Sequence, residues 1–180
     1  SRWRVISCGI DFAPFEAPVE SSDARREFGL ADDAIVVGHV GRFELQKNHE
    51  FLIPVIREAA LRDQRVRFLF VGDGSLRTRF QRQAATAGLE PFVIFAGVRS
   101  DVPRLMRSVM DVFVFPSLYE GLGLVTIEAQ AAGLPCVVSD RLPWEIDVVP
   151  RLIRRASLND PPGEWADSLL AMAGGRLLRR

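Results

Sequence analysis

The sequence predicts a doubly wound α/β domain built on a mainly parallel sheet. Three observations predict it. Short runs rich in β-branched and aromatic residues recur along the 180 residues. They are polar on neither face, as strands covered on both sides are. Stretches with helical spacing of apolar residues separate these runs, and capping or stop residues stand at the junctions.

Strands are expected at residues 4–7, 35–40, 67–71, 92–95, 112–115, 135–138 and 152–154. A helix over 23–28 follows Ser21 or Ser22 as its N-cap and stops at Gly29. Asn48 caps a helix over 50–62, and Ser75 starts one over 76–87 that ends at Gly88. Ser100 or Asp101 starts a helix over 102–109. The helix over 123–132 is halted by Gly133 and Pro135, and the last, over 164–173, ends at Gly174-Gly175. Pro54 falls inside the 50–62 stretch, where a lost donor costs ~3 kcal/mol in a helix interior, so a kink or a late start is expected. The stretch "RRASLNDPPGE" is the one linker-like region.

Composition narrows the function classes. Hydrophobic residues make up 48% and charged residues 26%, as in ordinary soluble domains. The 23 basic and 23 acidic residues cancel, which argues against a general nucleic-acid binder. No apolar run is long enough to span a bilayer. Cys8 and Cys136 lie in or beside apolar runs and are expected as reduced, buried thiols. No Cys/His cluster has metal-ligand spacing, and His39 and His49 read as a strand residue and a helix-start residue, each standing alone. The first residue is Ser1, and "RWRVISCGIDF" has the texture of mid-protein sequence, so a piece of a longer protein is expected.

In such a fold, ligands sit beyond the carboxyl ends of the strands. Four loops there carry candidate chemistry. In "VGRFELQKNHE", Gly41 permits a tight turn, while Arg42 and Lys47 could hold a diphosphate beside a helix N-terminus. In "FVGDGSLR", Gly72 and Gly74 suggest a dinucleotide fingerprint, but Arg77 stands where its third glycine belongs. These glycines read instead as a turn that a ligand or backbone approaches closely. In "FAGVRSDVPRL", the backbone around Gly97 and Val98 could read the edge of a base, or could be a plain strand-to-helix turn.

The fourth loop is "PSLYEGLGLVTIEAQAAGLP". On a helix, Glu128 shares its face with Leu124, Val125, Ala131 and Ala132, all apolar. A carboxylate there needs donors, supplied by a vicinal diol such as a ribose or by one buried Arg. Glu120 precedes the helix beside Gly121 and Gly123. It reads as a ligand for sugar hydroxyls or as a first-turn acid favoured by the helix dipole.

Together these loops resemble the C-terminal half of the retaining nucleotide-sugar glycosyltransferases with two Rossmann-like domains, the GT-B fold of glycosyltransferase group 1. The resemblance runs from "GIDF" to "VVSD" and rests on "GRFELQKNHEFLI" and the E-x7-E spacing of Glu120 and Glu128. It implies one Rossmann-like donor-binding domain over residues 1–180, with an interdomain entry segment at 1–20 and the N-terminal acceptor domain absent. It implies that Arg42 and Lys47 hold the diphosphate and stabilise the leaving group, and that Glu128 binds the ribose diol. Glu120 and the amides of Gly121, Leu122, Gly123 and Leu124 would contact the donor sugar and phosphate, and the turn at Val98–Arg99 the base.

The reaction implied is hexosyl transfer from a UDP- or GDP-sugar to a saccharide or lipid-linked acceptor in capsule or exopolysaccharide synthesis. No cofactor is implied: no two aspartates form D-x-D, and the two cations make a metal dispensable. The setting implied is cytoplasmic, or peripheral at the inner face of the membrane. The competing readings are a related epimerase or phosphorylase, and a nucleotide-binding or assembly module without transferase activity. Leu122 stands where many relatives carry an aromatic residue, which would reshape the sugar pocket.

Overall fold

The structure is a computed structural model and describes residues 9–16 and 21–177. The expected strand at 4–7 and Cys8 lie outside the described residues, as do the side chains of Ser21 and Ser22. Among the described residues, six parallel strands form one sheet: β1 (Ile35–Val40), β2 (Val66–Val71), β3 (Val93–Gly97), β4 (Val112–Phe115), β5 (Cys136–Ser139) and β6 (Ile153–Ala156). Their order is β3-β2-β1-β4-β5-β6. The described residues also form seven α-helices: α1 (Ala13–Glu16), α2 (Ser21–Arg26), α3 (Leu52–Arg62), α4 (Arg77–Thr86), α5 (Val102–Ser108), α6 (Leu124–Ala131) and α7 (Pro162–Leu177). This is the doubly wound Rossmann-like α/β fold that the sequence predicts.

The period-two pattern of the strands builds two cores. Val37, Phe68, Phe70, Val112 and Val114 point to one face, against Leu52 and Ile56 of α3, Phe80 of α4 and Trp165 of α7. Val36, Leu69, Phe113, Phe115 and Val138 point to the other, against Leu105 and Met106 of α5 and Ala129 of α6. Both faces are therefore dry, which is why the runs read as continuously apolar.

Pro54 meets the expected late start, and two other positions differ from expectation. Pro54 is the third residue of α3, whose start is delayed by a 3-10 turn at His49–Phe51, so its missing N–H costs no helical bond. Asn48 does not cap that helix; it takes a left-handed conformation with φ 55° between two 3-10 turns. Gly174-Gly175 does not stop α7, which continues to Leu177. Burial of Trp165, Ala166, Leu169 and Ala173 outweighs the ~1 kcal/mol that each glycine costs a helix. The linker-like stretch is no linker either: it holds β6, the start of α7 and a tight turn in which Asp160 accepts from the Ser157 N–H at 2.8 Å.

At the amino edge of the sheet, Arg25 of α2 is buried and bonds the Ala34 and Val109 carbonyls and Asp111. Asp111 accepts in turn from the Val36 N–H of β1 at 2.8 Å. Cys136 is buried, as expected, and its thiol donates to the Leu134 carbonyl at 3.2 Å.

Candidate functional site

Strand order reverses between β1 and β4, and the loops leaving those two strands flank the crevice where such folds bind ligands. The two loops are stitched together. The Leu118 N–H donates to the Gln46 carbonyl at 2.9 Å, the Gln46 amide to the Tyr119 carbonyl at 2.9 Å, and the Asn48 amide to the Pro116 carbonyl at 3.2 Å. That stitching brings Lys47 to Glu120, with Nζ 2.6 Å from Oε1. The same ammonium lies 4.7 Å from the centre of the Phe115 ring. Lys47 thus neutralises the Glu120 carboxylate.

The glycines of "GDG" have a backbone, not a ligand, against them. A Cβ at Gly72 would lie 2.1 Å from the Gly41 carbonyl oxygen, and one at Gly74 would lie 2.6 Å from the Phe43 nitrogen. Phe43 and Asp73 also share a backbone hydrogen bond of 3.0 Å. The β2 loop is thus the floor that shapes the turn carrying Arg42. Ser75 does not cap α4; its hydroxyl bonds the Glu44 carboxylate at 3.1 Å.

A pocket of about 490 Å³ opens at the crevice, lined by Gly41, Arg42, Lys47, Glu120, Leu122 and the first residues of α6, with Glu128 beyond them. Gly123 enters α6 with φ 64°, a left-handed conformation that favours glycine. The first amide with a partner in the helix is that of Thr126, bonded to the Gly123 carbonyl, so the earlier ones are open to an anion. The helix end that meets Arg42 and Lys47 is therefore that of α6, not that of the helix following their own loop. Arg42 is exposed and has no ion-pair partner among the described residues.

Glu128 has no hydrogen-bond or ion-pair partner among the described residues, so the buried-Arg alternative does not apply. It is half-buried, and that burial raises its pKa above the usual carboxylate range. It lines a second pocket as well, of about 450 Å³, with Asp11, Phe15, Val40, Pro103 and Leu124. Glu120 lies outside α6 and is not a first-turn acid.

Val98 and Arg99 line neither pocket. Val98 is exposed, and Arg99 is fixed on Asp101 at 2.8 Å and Glu27 at 2.6 Å. Hydrogen bonds from Arg99 and Arg104 hold the Asp101 carboxyl well below its ordinary range. Asp101 accordingly sits at the α5 N-cap position without bonding a helix amide. Among the described residues no group of three His, Cys, Asp or Glu could hold a metal ion.

Two features escaped the sequence reading. His39 and His49 do not stand alone: their ring centres are 4.5 Å apart. His39 Nδ1–H donates to the Val114 carbonyl at 2.9 Å, while its Nε2 and both nitrogens of His49 are buried without partners. Desolvation lowers His39 to about 4 and His49 to about 2, so both rings are neutral beneath Lys47. Gln130 was also missed. Its buried amide donates to the Ile146 carbonyl and accepts from the Val149 N–H, both at 2.7 Å, tying α6 to the loop after β5. A lone amide on an apolar helix face was its signal.

Residues 20–153 match the family model described as Glycosyl transferases group 1. The chain belongs to that family. It is similar to EpsF of Bacillus subtilis strain 168, 39% identical over 179 residues, covering 97% of this chain and 46% of EpsF. It is 35% identical over 141 residues to the UDP-Gal:alpha-D-GlcNAc-diphosphoundecaprenol alpha-1,3-galactosyltransferase of Escherichia coli, covering 76% of this chain and 36% of the enzyme. Among solved structures, Anabaena HepE in complex with UDP superposes with a TM-score of 0.80 at 27% identity, covering 93% of this chain and 47% of HepE. The chain thus spans about half the length of relatives that it matches. No helix among the described residues is long and apolar enough to cross a membrane.

Proposed function

We propose that this group 1 chain is the donor-binding domain of a retaining hexosyltransferase. The donor is a UDP- or GDP-hexose, and the acceptor a saccharide or a lipid-linked sugar in polysaccharide synthesis. The observation that carries the reading is Glu128, a half-buried carboxylate without a protein partner at the switch point of a group 1 sheet. Two adjacent hydroxyls of a ribose would satisfy its two oxygens. The UDP named with HepE and the UDP-Gal in the name of the E. coli relative support a uridine nucleotide.

The chemistry follows from charge. Departure of the nucleoside diphosphate builds negative charge on its phosphates. Arg42, the Lys47 ammonium and the open amides of α6 meet that charge as it develops. Because those groups suffice, the reading assigns no metal. Glu120, held by Lys47 and backed by Gly121 and Gly123, faces the place where the hexose follows the diphosphate. Leu45, Val98, Tyr119, Trp144 and Val148 stand exposed on connecting segments and Leu124 at the start of α6, an apolar rim suited to a second domain of the same protein closing over the crevice. That domain would bring the acceptor, so the chain by itself binds donor weakly and transfers poorly.

Calorimetry with UDP, GDP and their hexose esters tests the reading. Glu128→Gln is expected to weaken nucleotide and nucleotide-sugar alike, whereas Glu120→Gln weakens only the gain in affinity that the hexose adds. Equal effects of both changes would undo that division. If no nucleoside diphosphate binds and Glu128→Ala changes nothing, an assembly module that kept the fold is the better reading.

A further inference from the structure

Gln130 stands in the last turn of α6, with only 4% of its surface exposed. Its Nε2 donates to the Thr126 carbonyl at 3.0 Å and to the Ile146 carbonyl at 2.7 Å, and its Oε1 accepts from the Val149 N–H at 2.7 Å. Both amide hydrogens are used, and the oxygen has a partner. Two of these bonds leave the helix. They grip the loop after β5 on either side of Asp147 and Val148.

That loop is also held from elsewhere. The Arg155 guanidinium of β6 donates to the Leu142 carbonyl at 2.8 Å, the Pro143 carbonyl at 2.9 Å and the two Asp147 oxygens at 2.9 and 3.1 Å. The loop is therefore a fixed strut beside α6. Ile146, whose carbonyl Gln130 holds, is fully buried, and its Cγ2 lies 3.7 Å from where a Cβ of Gly123 would stand. Gly123 sets the entry to α6, just ahead of the amides left open to an anion. The residue tied to the last turn of the helix thus backs its first.

A methionine or leucine would fill the same buried space. Apolar contact is non-directional, however, and would let the helix turn or slide slightly against the loop. A buried amide with its bonds filled is directional and fixes one arrangement. Direction matters most where the helix meets an anion, because an N–H bond to a phosphate oxygen weakens steeply when misaimed.

We propose that Gln130 is a positioning residue for the diphosphate. Through the loop and Ile146 it sets the place and direction of the Leu124 and Val125 amides beside Arg42 and Lys47. It lines neither pocket at the crevice and touches no substrate itself. The inference rests on the donor-site reading given above, and its test separates the two.

Calorimetry of the 180-residue chain with UDP, and competition against it by uridine and by inorganic pyrophosphate, reads the two ends of the site apart. Gln130→Met keeps the length of the side chain, so no cavity opens. UDP and pyrophosphate affinities per folded molecule are expected to fall roughly tenfold, while uridine affinity stays. Gln130→Glu keeps the acceptor for the Val149 N–H but sets an oxygen against the Ile146 carbonyl, and is expected to lose at least as much. In the wild-type chain, amide hydrogen exchange should find the Val149 N–H protected. A role confined to the fold gives a lower urea midpoint in Gln130→Met with all three affinities kept, and that result overturns the proposal. So does an equal loss for uridine and UDP, or a Val149 amide that exchanges as fast as open chain. A wild-type chain that binds no UDP overturns the donor reading and this inference with it. UDP binding indifferent to Gln130→Met overturns this inference alone.

Discussion

The two edges of the sheet treat buried charge in opposite ways. At the amino edge, Arg25 and Asp111 are both buried and meet at 2.6 Å, and the Ala34 and Val109 carbonyls and the Val36 N–H add further hydrogen bonds to the pair. At the carboxyl edge, Glu128 is half-buried and bonded to nothing among the described residues, and Arg42 stands without an ion pair. A satisfied ion pair is a structural tie. An unsatisfied carboxylate at a switch point is a vacancy for donors that the chain does not own. The lesson is that burial of charge alone does not mark a site; a carboxylate left without a protein partner beside a crevice does.

The sharpest way to break this comparison is at the amino edge. Asp111→Ala leaves the Arg25 guanidinium buried without its carboxylate. A loss of ~3–5 kcal/mol of stability is expected, read by urea denaturation, with nucleotide affinity per folded molecule unchanged. An effect on affinity as large as that on stability would erase the distinction between the edges.

A second change strikes the carboxyl edge through its scaffold. Gly72 has φ 133°, and any Cβ there meets the Gly41 carbonyl. Gly72→Ala is expected to cost ~2–4 kcal/mol from strain and overpacking together. Unlike Asp111→Ala, it displaces the turn that carries Arg42, so UDP affinity should fall as well. Calorimetry on the folded fraction separates the two losses.

The buried histidines give a third, through pH. Between pH 6.5, the ordinary value, and about 4, the unfolded chain takes a proton at His39 that the native chain refuses; His49 behaves the same way down to about 2. Their stabilisation is full above pH 6.5 and is lost as pH falls. The expected loss between pH 6.5 and 5.5 is about 2 kcal/mol for the pair. The rings face each other, Phe43, Phe70 and Lys47, and the nearby Lys47 ammonium adds to the cost of charging them. His49→Phe, which keeps the stacking on Phe43 at 4.0 Å, should roughly halve the acid slope of urea midpoints. An unchanged slope would place the acid sensitivity elsewhere.

What the sequence made legible follows the range of the interactions. Strand positions and the two-sided sheet were readable because apolar runs and period are local properties. Glu128 was readable because i±3 and i±4 neighbours are also local, and those four residues are apolar. The Lys47–Glu120 pair spans 73 positions and the Arg25–Asp111 pair 86, distances over which spacing carries no signal. The same holds for His39 against His49, which appear separate until β1 and the following 3-10 turn bring the rings together. The failed stops at Gly174-Gly175 and the failed caps at Ser75 and Asp101 share one cause: tertiary partners outbid local propensity.

Glu128 gives the smallest change in stability and the most informative one. Burial raises its pKa in the native state, so between the ordinary carboxylate range and that raised value the native chain binds more protons than the unfolded one. Its contribution therefore falls as pH rises, and at neutral pH the ionised group destabilises the empty domain. Glu128→Gln should raise the unfolding midpoint, by less than about 1 kcal/mol because the carboxylate is half in water. The same substitution should weaken UDP binding about tenfold, since a charged acceptor of two hydroxyl bonds becomes a neutral one. In the wild-type chain, UDP affinity should decline as pH drops toward the raised pKa, with proton release on binding at that pH. In Glu128→Gln both effects should vanish. A substitution that gains stability and loses affinity marks a residue that serves a ligand; one that loses stability alone, as expected at Asp111, marks a residue that serves the fold. If Glu128→Gln instead lowers the midpoint, its carboxylate has a partner in the protein, and the contrast between the two edges fails.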